Sequence, residues 1–100
     1  MNSVEELIER INFRVCPKHL REEIQYYISQ GRPLGGFLTA VFSNNLKESF
    51  NRADDTNKHL LGDLVSFIQN ELPAPSQGSF TKVEEWMKHR GLSGWAEKLI

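Results

Sequence analysis

Apolar residues recur every three or four positions in segment after segment of this 100-residue chain, and Pro17, Gly31, Pro33, Pro73, Gly78 and Gly91 interrupt the pattern before most segments grow long. A period near 3.6 places such residues on one face of a helix, and prolines and glycines are where helices start and stop. The expected fold is therefore all-α, a compact bundle of about five short helices in a single domain covering residues 1–100.

Ser3 and Glu6 have capping-box spacing ahead of Leu7, Ile8 and Ile11, which predicts a short first helix from about Val4 to Asn12. At that length it has little intrinsic stability, so residues 1–15 are expected to hold a mobile N-terminal helix. Pro17 suits the first position of a second helix, where Leu20, Ile24, Tyr27 and Ile28 form one stripe up to Gly31. Leu38, Phe42, Leu46 and Phe50 keep an i, i+4 spacing, but Ser43-Asn44-Asn45 offers side chains that cap or bend a helix. Two short helices with a break near Asn44 are expected there. Asp54-Asp55 opens the longest helix, whose face is Leu60, Leu61, Leu64, Val65, Ile68 and Leu72 before Pro73 stops it. Ser79 or Thr81 caps a further helix carrying Val83, Trp86 and Met87, and residues 93–100 leave a final short helix open.

Composition narrows the function classes. Twelve Lys and Arg against thirteen Asp and Glu, a formal charge of -1, remove the electrostatic argument for nucleic acid as partner. No apolar run approaches the roughly 18 residues of a membrane span. Met1 to Arg10 alternates acidic with apolar residues, unlike a signal peptide, so no membrane association and a cytoplasmic location are expected. One cysteine closes no intrachain disulfide, and a chain this small buries a modest fraction of its surface, which favours completing the core as a homodimer.

The feature that points most directly to binding chemistry is Gly35-Gly36 feeding the helix of Phe37, Leu38, Val41 and Phe42. Without Cβ atoms the two glycines leave the backbone open to a ligand, and the first N–H groups of a helix favour an anion. Thr39 adds a hydroxyl in the same turn and Arg32 a nearby positive charge; Arg21, Lys47 and Arg52 join only if the fold brings them close. The plain alternative is that the glycines make a tight turn. A phosphate-binding loop ending in Lys-Ser or Lys-Thr is absent.

No catalytic set is coherent. Cys16 and His19 are three apart near a helix start, yet no third member accompanies them, and Cys16 reads better as a small structural residue. His19, His59 and His89 lie far apart with one cysteine in the chain, so no metal ligand set is expected, and no cofactor. Asp55 with His59 and Glu85 with His89 read as solvated helix pairs, and Asp54-Asp55 as a cap. Among the aromatics, Tyr27 and Trp86 follow the apolar stripes, whereas Tyr26 and Trp95 fall off them and are the candidate anchors for a protein partner.

The run Gly35-Gly36-Phe37-Leu38-Thr39-Ala40-Val41-Phe42-Ser43-Asn44-Asn45-Leu46, with Arg52-Ala53-Asp54 after it and Gly78-Ser79 ahead of Val83 and Trp86, resembles a group of small all-helical proteins encoded by bacteriophages and prophages. The likeness covers about residues 17–92. The group's pattern reads Pro-Gly-Gly-Phe-Leu-Thr-Ala-Val, Asn-Asp-Leu and Trp-Gly-Ser; here Leu34, Asn45 and Gln77 stand at the Pro, Asp and Trp positions. The resemblance implies a phage setting and no particular activity. Together these readings lead to an expectation of a non-enzymatic binding protein in the bacterial host cytoplasm. Its ligand would be a small, nucleotide-like anion held by Arg32, Gly35, Gly36, Phe37 and Thr39, with a host-defence signal as the expected role. The competing reading is an interaction module that inhibits or redirects a host protein through Tyr26 or Trp95.

Overall fold

The computed structural model describes residues 4–94, and over these the chain is all-α with no strand. The helices run in the order α1 (Val4–Glu9), α2 (Arg21–Gln30), α3 (Gly36–Phe42), α4 (Leu46–Arg52), α5 (Asp55–Glu71) and α6 (Phe80–Lys88). Short 3-10 turns at Phe13–Val15, Lys18–Leu20 and Ala74–Ser76 link them, and residues 92–94 are again helical. Ser3 and residues 95–100 lie outside the described residues, so the expected capping box, the tail and Trp95 do as well. No helix among the described residues is long and apolar enough to cross a membrane.

Two boundaries differ from the sequence reading. α1 stops at Glu9, short of Asn12, because Asn12 caps the following 3-10 turn: its Oδ1 accepts from Arg14 N at 3.2 Å. The Asn12 N–H also donates to Glu71 Oε1 at 2.9 Å, which ties the turn to the end of α5. α2 begins at Arg21 rather than at Pro17. Pro17 is extended, with ψ at 128°, and its carbonyl accepts from Leu20 N in a tight turn that precedes the helix.

The core is built from α2, α3, α5 and α6, which contribute Ile24, Tyr27 and Ile28; Leu38 and Phe42; Leu64, Phe67 and Ile68; and Val83 and Trp86. Tyr27 sits at its centre, 5.0 Å from the Phe42 ring in an edge contact and 6.5 Å from Trp86. Both buried polar atoms have partners. Tyr27 donates its hydroxyl proton to Ser76 O at 2.7 Å, and Trp86 Nε1 donates to Tyr27 O at 3.0 Å.

That last bond joins the C-terminal ends of α2 and α6, where two left-handed glycines meet. Gly31 (φ 70°) closes α2 and Gly91 (φ 63°) closes the turn after α6. A Cβ on Gly91 would lie 2.5 Å from Ile28 O and 2.7 Å from Gly31 N, so only glycine fits. Both residues read as helix ends in the sequence, but their mutual contact is a tertiary feature.

Between α3 and α4 the break falls at the expected place. Asn44 takes φ 62°, a left-handed conformation that asparagine tolerates, and Asn45 Oδ1 caps α4 by accepting from Glu48 N at 3.2 Å. The break redirects the stripe. Leu38 and Phe42 remain in the core, while α4 turns Ser49 inward and leaves Leu46 69% and Phe50 50% exposed. The Ser49 hydroxyl is satisfied by Asn45 O at 2.7 Å.

Candidate functional site

The Gly-Gly turn is where the sequence places an anion, and its groups are already engaged. Gly35 is the extended residue before α3, and its N–H donates to the Glu23 carboxylate of α2 at 2.7 Å. A negative group from the chain itself therefore occupies the donor next to the helix start. Thr39 donates its hydroxyl to Leu34 O at 3.1 Å. Phe37 packs against the core, partly buried. Arg32 lies over the Tyr26 ring, its guanidinium carbon 4.7 Å from the centroid, in a cation–π contact. Of the five predicted ligand residues, the fold keeps Gly36 and Thr39 on one groove and leads Arg32 away to Tyr26.

The cation beside the glycines is Arg52. Its Nη1 lies 2.6 Å from where a Cβ on Gly36 would be, so the missing side chain lets the guanidinium rest across the first turn of α3. Arg52 Nε also donates to Glu48 Oε2 at 3.2 Å, an exposed i, i+4 pair of the kind that contributes only about 0.3–0.5 kcal/mol. Arg21 is committed elsewhere, donating to Cys16 O at 2.9 Å and Arg14 O at 3.1 Å.

Arg52 and Gly36 line an open groove of about 370 Å³ between α3 and α4, together with Leu34, Thr39, Ala40, Ser43, Asn45, Glu48 and Phe80. Phe80 and Ser43 are among the lining residues that carried no signal of function in the sequence. Phe80 begins α6, which Ser79 caps by accepting from Lys82 N at 3.1 Å, and its ring is 57% exposed. Ser43 ends α3, and its Oγ is buried with no hydrogen-bond partner among the described residues. A buried hydroxyl left in that state costs about 1–3 kcal/mol.

Elsewhere the chemistry is quiet. Cys16 is buried, its Sγ faces Pro17 O at 3.6 Å, and burial pushes the thiol up to about 11 against the opposing pull of Arg21. Such a thiol is a poor nucleophile at neutral pH. His19 is not its base: His19 Nε2 lies 2.7 Å from Asn57 Oδ1 of α5. Asp54 caps α5, with Oδ1 accepting from Asn57 N at 2.8 Å, and His89 Nε2 lies 3.7 Å from Glu85 Oε2. No group of three or more His, Cys, Asp or Glu that could hold a metal occurs among the described residues.

Of the predicted partner anchors, Tyr26 is 38% exposed and borders a groove of about 800 Å³ between α1 and α2, lined also by Val4 and Ile8. Comparisons with protein families, curated proteins and solved structures returned no match.

Proposed function

We propose that the protein is a non-enzymatic binder of a small anionic ligand, held in the groove between α3 and α4. The observation that carries this reading is the Arg52 guanidinium laid over the bare Cα of Gly36 in an open groove. A phosphate or carboxylate entering the groove meets a forked donor whose present partner, Glu48, is weakly held. The absence of a coherent nucleophile, base or metal set in the sequence supports binding over turnover. The phage setting implied by the residue pattern supports the host cytoplasm as the place of action and sequestration of a host-defence signal as the purpose.

The test is native and denaturing mass spectrometry of wild type and Gly36→Asp, each purified gently from cells. A Cβ at Gly36 would fall 2.6 Å from Arg52 Nη1 and 3.3 Å from its Cδ, atoms of a flexible, exposed side chain that can move aside, and the new carboxylate is placed to pair with the arginine. Wild type is expected to carry a small molecule that leaves on denaturation, and the variant to lack it. An empty wild type, or equal loading of both, overturns the reading.

A second reading is favoured by α4. A helix that buries a serine and exposes Leu46 and Phe50 presents apolar area that the described residues leave uncovered, which suits a module that captures a host protein. A host polypeptide co-purifying without any small molecule would shift the weight to it.

A further inference from the structure

We infer that the ligand of this groove is a mononucleotide-sized molecule, one phosphate carrying one planar ring, with the ring stacked on Phe80. The inference rests on the anion-binding reading and adds the ligand's second half. Phe80 contributes an exposed aromatic side chain to the groove that Arg52 also lines, and the first turn of α6, fixed by the Ser79 cap, holds the phenylalanine backbone in place. An aromatic side chain 57% exposed on the lining of this groove offers a flat face of the kind on which bases stack regardless of their identity. Asn45, whose Oδ1 caps α4, also lines the groove and carries an amide NH2 of the sort that reads a sugar or a ring edge. Size sets the limit: about 370 Å³ is at the low end for small-molecule sites, enough for a single nucleotide unit per chain.

The arrangement predicts a division of labour. Arg52 responds to the phosphate whatever it is attached to, and Phe80 responds only to the ring. Affinity for the nucleoside monophosphates should therefore differ only modestly, the larger purine rings binding somewhat more tightly than the pyrimidines.

The experiment is a titration of wild type, Phe80→Ala and Arg52→Gln with inorganic phosphate, ribose 5-phosphate and adenosine 5′-monophosphate, followed by amide chemical shifts. Phe80 is exposed and α6 keeps its cap, so Phe80→Ala retains the wild-type spectrum outside the groove. In wild type the nucleotide is expected to bind at least tenfold more tightly than ribose 5-phosphate, with shifts at Thr39, Ser43 and Phe80. Phe80→Ala should erase that tenfold preference and leave ribose 5-phosphate binding unchanged; Arg52→Gln should weaken all three probes. If nucleotide and sugar phosphate bind alike in wild type, or Phe80→Ala keeps the preference, the ring assignment is overturned while anion binding stands. If none of the probes shifts the groove residues, the anion reading fails and this inference with it.

Discussion

Where α2 meets α6, the backbones touch through Gly31 and Gly91, the Tyr27 and Trp86 polar atoms are bonded to main-chain carbonyls, and both of these rings are buried. Where α3 meets α4, the contact is made over another glycine, yet an arginine with a weak partner lies across it, the Ser43 hydroxyl has no partner among the described residues, and Leu46, Phe50 and Phe80 are exposed. Both junctions use a missing Cβ to bring groups close. At the first the space is filled by backbone and contributes to stability; at the second it is filled by a side chain that can move, which leaves the junction able to accept something else. Gly31 and Gly91 have positive φ, whereas Gly36 is the first residue of α3 and does not, which marks the same distinction in the backbone.

The largest effect is expected from Gly91→Ala. The new Cβ would have to fit within 2.5 Å of Ile28 O at a left-handed φ, so stability should drop by about 3 kcal/mol, read as the urea midpoint. A loss under about 1 kcal/mol would show that the junction is not closed as described.

A smaller effect comes from alkali. Folding holds the Cys16 thiol protonated, at about 11 against an ordinary 9.0, because burial disfavours the thiolate. A raised value in the folded state means a contribution that is complete below the unfolded value and lost as pH climbs from about 9 to about 11. Wild type should therefore lose stability over that window more steeply than Cys16→Ala, by up to about 1.4 kcal/mol per pH unit. Equal slopes would place the thiol in contact with water.

The smallest effect belongs to the open side. Replacing Leu46 and Phe50 together by serine removes exposed apolar surface, and each change should alter stability by no more than about 0.5 kcal/mol in thermal unfolding. A loss of several kcal/mol would mean that α4 buries this face against the protein, erasing the contrast between the two junctions. With stability preserved, loss of host-protein capture by the double variant would support the interaction reading, and full capture would count against it.

Much of this was legible from residue order. The helical period in Leu20, Ile24, Tyr27 and Ile28, the caps at Asn45, Asp54 and Ser79, and the break at Asn44 are local matters, decided by backbone sterics and by side chains reaching two or three residues along the chain. The assignment of Tyr27 and Trp86 to the interior follows from the same periodicity. The α4 face shows where periodicity fails: Leu46 and Phe50 continue the i, i+4 register of Leu38 and Phe42, but one left-handed residue between the helices rotates them out of the core.

The groove is the part that residue order does not contain. Gly36 is visible as a gap in side-chain coverage, but which cation fills it depends on the angle at which α4 returns over α3, and that angle is set by packing around Leu38, Phe42 and Ser49. Arg32, four positions away in sequence, is drawn to the Tyr26 ring, while Arg52, sixteen away, arrives at the glycine; Phe80 reaches the same groove from a helix that starts 44 residues later. Helices, caps and breaks arise from forces that act over a few residues of chain, so they can be read along it. Charge and ring meeting at Gly36 depend on how apolar faces settle against one another, and that arrangement exists only once the helices are packed.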